Sequence, residues 1–180
     1  MIDNLNEIRN HVIDKFFKKQ WKDVWFYPEH PKIKGVKGYL GTQDIIFVGL
    51  NPSRGKFPSK ADDFFYEELK KNGFKNAHLT DLIKLRATEK EVNSLLKNKE
   101  FICEQIEILK KEIEAIKPTL IVPMHDKVRK ILNKELKDYE IKYIPHYSHC
   151  NRWGKRDKFR NAIRGIKDRY VSLKEKKTDN

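Results

Sequence analysis

The feature that most constrains the fold is a continuous apolar run at residues 45–50, IIFVGL, which has polar residues on either side. A strand in which successive residues are all apolar is typical of a parallel sheet that is covered on both faces. A similar run, TLIV, follows Pro118 at residues 119–122, and residues 77–80 and 140–144 are two further strand candidates. The sequence therefore predicts four strands.

Helical periodicity separates these strands. In residues 102–116, apolar side chains recur at steps of four and three, which is the spacing of one face of a helix. Residues 5–16, 128–136 and 159–170 show the same pattern, and residues 62–71 show a weaker one. Strands that alternate with helices predict an α/β fold with three layers, in which helices cover a central, mostly parallel four-stranded sheet.

The length of 180 residues suits one domain with a hydrophobic core and is short for two. We expect a single domain over residues 1–174, with residues 1–40 as an N-terminal helix and loop extension and residues 175–180 as a loose tail. The sequence has no apolar run of the ~20 residues that a membrane span requires, no signal-peptide pattern and only two cysteines. These features predict a cytoplasmic protein that does not bind membranes, and we expect it to be a monomer.

Positive charge is concentrated near the C-terminus. The formal net charge is +13, and residues 142–177 contain twelve Lys or Arg but three Asp or Glu. A local excess of this kind is expected of a protein that binds a polyanion. A solvated basic helix face would explain the same composition equally well. The charge therefore suggests nucleic acid as a partner without deciding it.

Three polar segments follow the predicted strands. They are residues 51–55 (NPSRG), 81–86 (DLIKLR) and 146–149 (HYSH). In open parallel sheets, functional groups gather just beyond the carboxyl ends of the strands. We therefore expect these three segments to lie at one edge of the sheet.

The segments resemble, in the same order along the chain, motifs of the uracil-DNA-glycosylase superfamily. Residues 49–53 (GLNPS) resemble its first motif, in the form G-x-N-P-G, and residues 146–148 (HYS) resemble its second catalytic motif, H-P-S. Residues 80–86 (TDLIKLR) and 117–122 (KPTLIV) are similar to the second and third strands of its iron–sulfur branch. Each motif alone is unspecific, but four in order over residues 40–170 favour the fold of this superfamily.

The resemblance implies a DNA glycosylase, which flips a deaminated or otherwise altered base out of DNA and hydrolyses its N-glycosidic bond. In this role Asn51 positions the attacking water or stabilises the cation that forms on the sugar. His146 donates a hydrogen bond to the departing base, where negative charge develops. An iron–sulfur cluster needs four cysteines, so we expect no cluster, no other metal and no cofactor. DNA is the expected partner.

The same resemblance assigns further residues to the base and to DNA. An aromatic ring should stack on the flipped base, and Phe64 and Phe65 are the candidates, although a place in the core is equally expected for them. Arg152, or with less support Trp153, would fill the gap in the duplex. The expected base-binding residues are Gly49, Leu50, Phe64, Phe65 and Asp81, and the expected DNA-binding residues are Ser53, Arg54, Ser148, Arg152, Lys155, Arg156 and Arg160.

Three residues depart from the motifs: Ser53 replaces a glycine, Tyr147 a proline and Asp81 an asparagine. An asparagine can donate to O4 of uracil and accept from N3–H, whereas an ionised aspartate only accepts. We expect weak uracil excision at neutral pH and a several-fold increase in Asp81→Asn. Burial that keeps Asp81 protonated would instead let it imitate asparagine. A turn-capping role would leave it without contact to the base.

Other interpretations remain open from the residues alone. A member of the same fold that binds nucleic acid without catalysis would carry the same basic segment. A nucleotide-binding or hydrolytic α/β protein is less favoured, since the chain has no glycine-rich phosphate loop. Residues 51–55 are also compatible with a simple turn between a strand and a helix. His146, His149 and Cys150, with His125, are candidate zinc ligands, but they lack the paired spacing of structural zinc sites.

Overall fold

A parallel sheet with the strand order β2-β1-β3 forms the centre of the computed structural model, which describes residues 1–18 and 23–178. Its strands are β1 (Gln43–Gly49), β2 (Ala77–Asp81) and β3 (Leu120–Pro123). Strand β1 is central and pairs with both neighbours, and its residues from Ile45 onward are buried. The predicted α/β fold with a parallel sheet is confirmed.

The prediction of a fourth strand at residues 140–144 is wrong. Ile141 forms a single parallel bridge with Ile121 of β3. Backbone hydrogen bonds to β3 continue as far as Ile144, whose N–H donates to a β3 carbonyl at 3.1 Å. The next residue, Pro145, has no N–H group and cannot extend the pairing. Within the described residues the sheet therefore has three strands.

Helices surround the sheet, and every predicted helix is present. In the described part of the chain they are α1 (Ile2–Lys18), α2 (Lys60–Lys71), α3 (Glu89–Leu95), α4 (Lys99–Ile116), α5 (Asp126–Glu135), α6 (Tyr147–Arg152) and α7 (Arg156–Thr178). The sequence did not predict α3 and α6, because seven and six residues are too few to show a periodic pattern. Helix α7 continues to Thr178, so residues 175–178 are helical rather than a loose tail.

Alternate residues of β1 face opposite layers of helices. Ile45 and Phe47 pack with residues of α2, α6 and α7, whereas Ile46 and Val48 pack with residues of α1, α4 and α5. Both faces of the sheet are therefore covered, which explains why the sequence of β1 is apolar throughout. A third cluster joins α1 and α3 to α4 and to the segment after β2.

Helix α1 and the described part of the loop that follows contribute side chains to the core. Leu5, Val12 and Phe16 of α1 are buried, and so is Tyr27 in the loop that follows. Trp21, which the sequence places in the same loop, lies outside the described residues. In the described part of the chain, no helix combines the length and the apolar character that crossing a membrane requires.

Candidate active site

The loops after β1 and β2 and the start of α6 surround a cavity of about 200 Å³. Among the residues predicted for the site, Asn51, Ser53, His146 and Ser148 line it. The other lining residues are Trp25, Tyr27, Pro52, Gly55, Lys56, Phe57, Ser59, Asp62, Arg86 and Tyr147. The three polar segments of the sequence thus all contribute to one cavity. A larger groove of about 660 Å³, between α1 and α4, contains none of the predicted site residues.

Backbone hydrogen bonds continue from the ends of β1 and β2 into the loops that form the cavity. Leu82 N donates to Gly49 O at 2.9 Å, and Ile83 N donates to Leu50 O at 3.0 Å. Gly49 and Leu50 were predicted to contact the base, but neither lines the cavity. Leu50 packs its side chain against the core instead. The two residues hold the loops together beneath the cavity.

Asn51 is fixed in one orientation by two backbone carbonyls. Its Nδ2 donates to Pro52 O at 2.9 Å and to Ala87 O at 3.0 Å. Both amide protons are therefore used, and the group that Asn51 offers to the cavity is the carbonyl oxygen Oδ1. An oxygen of this kind can accept a hydrogen bond from a water molecule and direct the water's lone pair toward a reacting atom.

His146 is held as a neutral hydrogen-bond donor. It precedes α6, and its Nδ1 accepts from the backbone N–H of Ser148 at 3.2 Å and lies 2.8 Å from Ser148 Oγ. Because Nδ1 accepts, the ring proton resides on Nε2. The pKa of His146 is lowered to about 4, mainly by burial, with His125 and His149 adding to the effect and Asp62 opposing it. At neutral pH the ring is uncharged and its Nε2–H is free to donate.

Three rings are stacked beside the cavity. Tyr147 lies parallel to Phe65, with 4.3 Å between the ring centroids and an interplanar angle of 5°, and His146 lies 4.5 Å away on Tyr147. Phe64 and Phe65 are buried in the core and neither lines the cavity. A base could stack on Phe65 only if the ring of Tyr147 moved away. The base-stacking role of the two phenylalanines therefore stays a prediction.

The aromatic lining of the cavity comes from other residues, namely Trp25, Tyr27, Phe57 and Tyr147. Sequence reasoning noted Tyr147 as a departure from the second motif and missed the other three. Trp25 and Tyr27 belong to the loop after α1, far from the motifs in the sequence. The guanidinium of Arg86 lies over the ring of Trp25, 5.4 Å from its centroid, and donates to Gly55 O at 3.1 Å. A cationic group is thus fixed at the cavity.

Asp81 is buried, interacts with the hydroxyl of Tyr27 and does not line the cavity. A Cβ atom on Gly49 would lie 2.0 Å from Asp81 Oδ1 and 3.3 Å from the hydroxyl of Tyr27, so only glycine fits at position 49. Burial raises the pKa of Asp81 to about 7, with Glu112 adding to the effect and Lys84 and Tyr27 opposing it. The assignment of Asp81 to the base stays a prediction, since Asp81 does not line the cavity.

The buried position of Asp81 predicts a pH-dependent stability. A carboxyl whose pKa is raised from 3.8 to about 7 on folding binds more protons in the folded state. Its contribution is complete at low pH and is lost as the pH rises between these two values. In Asp81→Asn this loss is absent. The free energy of unfolding of the variant relative to wild type should therefore rise by up to about 4 kcal/mol between pH 4 and pH 8.

Urea unfolding of both proteins at several pH values measures this difference. Because all other titrating groups are shared, their contributions cancel. A difference that does not change with pH would show that the carboxyl of Asp81 is not held in the buried environment described above.

An ion pair inside the protein supports the end of β2. Lys84 Nζ donates to Glu112 Oε2 at 2.9 Å, to the backbone carbonyl of Asp81 at 2.6 Å and to Thr80 Oγ1 at 2.5 Å. Lys84 and Glu112 are 1% and 0% exposed. Burial alone would raise the pKa of Glu112, but Lys84 and His78 lower it to about 2. Glu112 is therefore ionised inside the fold, and the pair anchors α4 to the loop that carries Arg86.

The predicted DNA-binding residues fall into two groups. Arg152 and Lys155 are exposed at the turn between α6 and α7, beside Trp153, of which 62% is exposed. The remaining side chains are engaged within the protein. Arg54 pairs with Glu91, Arg156 donates to Asn151 and lies over Phe64, Arg160 pairs with Glu68 and Asp157, Ser148 contacts His146, and Ser53 accepts from Gly55 N.

Candidate metal ligands do not come together in the described residues. No group of three or more His, Cys, Asp or Glu side chains has the arrangement that a metal ion would need. The two cysteines lie on separate helices, Cys103 on α4 and Cys150 on α6. They do not fit an iron–sulfur cluster, which requires four thiolates.

A comparison with protein families decides the relationship. The profile of the uracil DNA glycosylase superfamily matches residues 38–167. The chain belongs to the uracil DNA glycosylase superfamily. The match contains the sheet, Asn51 and His146, and leaves α1 outside. Members of this superfamily are generally DNA glycosylases that act in DNA repair, with DNA as their substrate. No curated protein matches the chain.

Proposed function

We propose that this chain removes a deaminated or otherwise altered base from DNA by hydrolysing its N-glycosidic bond. The observation that carries the proposal is the pair of groups at one cavity: an acceptor, Asn51 Oδ1, and a neutral donor, His146 Nε2–H. Each is held by hydrogen bonds to the backbone, so that neither has to reorganise during the reaction.

The reaction separates charge along one bond. The C1′–N bond breaks, its electron pair leaves with the base, and a water oxygen then bonds to C1′. A hydrogen bond from His146 Nε2–H becomes strongest as negative charge develops on the base. Protonation of His146 would add a positive charge, but its pKa of about 4 keeps the ring neutral near pH 7. Asn51 Oδ1 accepts a hydrogen bond from the attacking water.

The basic turn between α6 and α7 is suited to hold the DNA. Arg152 and Lys155 are exposed; Arg152 ends α6, the helix that His146 precedes, and Lys155 lies in the turn that follows. Phosphate groups of the duplex would bind to these side chains. Trp153 lies between them and presents an exposed ring that can enter the base stack. The surface that would hold the flipped-out base's duplex is therefore next to His146, which lines the cavity that would receive the base.

The experiment that tests this function uses a panel of duplexes and single strands, each with one altered base. The bases include uracil, hypoxanthine, xanthine and methylated bases, and abasic sites are detected as strand breaks after alkali. We expect at least one base to be excised. If no base is excised, the chain is not a glycosylase.

A salt titration tests the DNA surface. In Arg152→Ala/Lys155→Ala the slope of log K against log salt should become shallower by about two units, because each lost phosphate contact removes roughly one. The matched control is Lys134→Ala/Lys137→Ala, which removes two exposed charges at the opposite edge of the sheet. Equal slopes for the two double variants would place the DNA elsewhere.

A second candidate function is nucleic-acid binding without catalysis. The stacking of Tyr147 on Phe65 favours it, because the ring occupies space that a base would otherwise fill and leaves a cavity of about 200 Å³. Salt-dependent DNA binding without excision of any base in the panel is the result expected of this alternative.

A further inference from the structure

The cavity contains one carboxylate. Of the residues that line it, in the described part of the chain, Asp62 is the single acidic side chain. It lies in the first turn of α2, outside all the motifs that the sequence suggested. The two groups assigned above, Asn51 and His146, are both uncharged at neutral pH. Asp62 is therefore the source of negative charge at the cavity.

The carboxylate of Asp62 is held in place by three donors. Oδ2 accepts from Ser59 N at 2.8 Å and from Ser59 Oγ at 2.7 Å, and Oδ1 accepts from the hydroxyl of Tyr147 at 3.0 Å. A carboxylate has about four acceptor positions, so one remains for a ligand in the cavity. The ring of Tyr147 in turn lies against His146. Asp62 and His146 are thus linked through a single side chain.

Helix capping explains part of this geometry but not its place in the cavity. Glu91 occupies the equivalent position in α3, where it accepts from Thr88 N at 2.7 Å and from Thr88 Oγ1 at 2.8 Å. The remaining oxygen of Glu91 pairs with Arg54 at the surface. The remaining oxygen of Asp62 instead accepts a hydrogen bond from the hydroxyl of Tyr147, a buried residue whose ring lies against His146. Glu91 in α3 is therefore a carboxylate that caps a helix without lining the cavity, and it serves as a control for Asp62 in α2, which caps a helix and also lines the cavity.

A negative charge next to the sugar favours the cleavage of a glycosidic bond. As the C1′–N bond breaks, the electron pair leaves with the base and the sugar becomes cationic, as in glycoside hydrolysis, where enzymes place a carboxylate next to the sugar. A neutral amide stabilises such a cation less than an ionised carboxylate does. The cavity already has cations, Arg86 and Lys56, which suit the phosphates on either side of the flipped nucleotide.

We propose that Asp62 is a further catalytic residue, whose carboxylate contacts the deoxyribose of the flipped nucleotide and stabilises the cation that forms at C1′. This inference rests on the proposed glycosylase function. Water forms the new bond to C1′, its proton passes to the carboxylate of Asp62 and from there to solvent, and the departing base takes a proton from solvent. Tyr147 is a positioning residue for this carboxylate.

The test compares Asp62→Asn and Asp62→Ala with Glu91→Gln in single-turnover excision. We expect both Asp62 variants to lose at least ~10²-fold in rate, by the same factor for every base that wild type excises, and to bind DNA as wild type does. Formate should restore part of the rate of Asp62→Ala, and chloride at equal ionic strength should not. Glu91→Gln weakens the equivalent helix cap. It should therefore lose the same small amount of thermal stability as Asp62→Asn and keep the wild-type excision rate.

Three outcomes would overturn the inference. They are a loss of less than ~5-fold in Asp62→Asn, a loss in Asp62→Ala that formate does not relieve, and a loss that differs strongly among the bases. The last result would show that Asp62 contacts the base rather than the sugar. If wild type excises a base and His146→Ala does not, the proposed function stands whichever way Asp62 behaves. If wild type excises none, both proposals fall together.

Discussion

His146→Ala should lower the single-turnover excision rate by about 10²- to 10³-fold, and Asn51→Ala by at least ~10²-fold. In the proposed mechanism the imidazole donates at the place where negative charge develops, and the amide oxygen holds the water that attacks. Removing either group leaves the other in position. The rate is measured with enzyme in excess over DNA that contains the base best excised in the panel.

Each of these variants has a control that removes a similar group elsewhere. His149→Ala takes a histidine from the exposed side of α6, where its ring lies near Trp153. Asn76→Ala removes an asparagine that also ties two loops, through Thr42, at the amino edge of the sheet. We expect both controls to keep their rate within ~3-fold. If His146→Ala and Asn51→Ala excise as fast as their controls, the residue assignment is wrong.

Lys84→Met should lower the free energy of unfolding by about 3–5 kcal/mol. The substitution leaves Glu112 ionised and buried without its cation, and it also removes the donors to the Asp81 carbonyl and to Thr80. In Lys84→Met/Glu112→Gln no charge remains unpaired, so a large part of the loss should be recovered. Urea unfolding followed by circular dichroism gives the three free energies.

Lys71→Met is the surface control for this measurement. Lys71 pairs with Glu67 and Glu68, but 59% of its side chain is exposed, and such pairs contribute between ~0 and 1 kcal/mol. A loss in Lys84→Met as small as that in Lys71→Met would mean that water reaches Glu112 and that the ion pair is not sealed inside the fold. A double variant less stable than Lys84→Met would show that the shape of the two side chains matters more than their charge.

The parts of the fold that the sequence predicts are those with long, regular patterns. The continuous apolar run of β1 indicates a buried strand, and the apolar stripe of α4 repeats over enough residues to indicate a helix. The prediction of a fourth strand failed at residues 140–144. Their sequence has a strand-like pattern, but pairing with the sheet also depends on the neighbouring strand and on the proline that follows. Helices α3 and α6 are short and depend on their caps and on tertiary packing.

The candidate site was predicted in part, because its motifs are contiguous in the sequence. Asn51 and His146 each lie directly after a strand-like run, and the structure brings them to one cavity. Trp25, Tyr27 and Asp62 were missed because their contribution depends on how distant segments fold together. Asp81 was predicted from its place in a motif, but the sequence does not show that its side chain would be buried and outside the lining of the cavity.

The hydrogen bonds that join the loops after β1 and β2 have a consequence for how this protein can be redesigned. Gly49, Leu50 and Asn51 are each bonded to the segment after β2, so Asn51, one of the two groups proposed to react, sits on a part of the chain that is tied to the sheet. Trp25 and Phe57 line the same cavity from loops outside that segment. A combinatorial library at positions 25 and 57 should therefore change which bases are accepted while the position of Asn51 is kept.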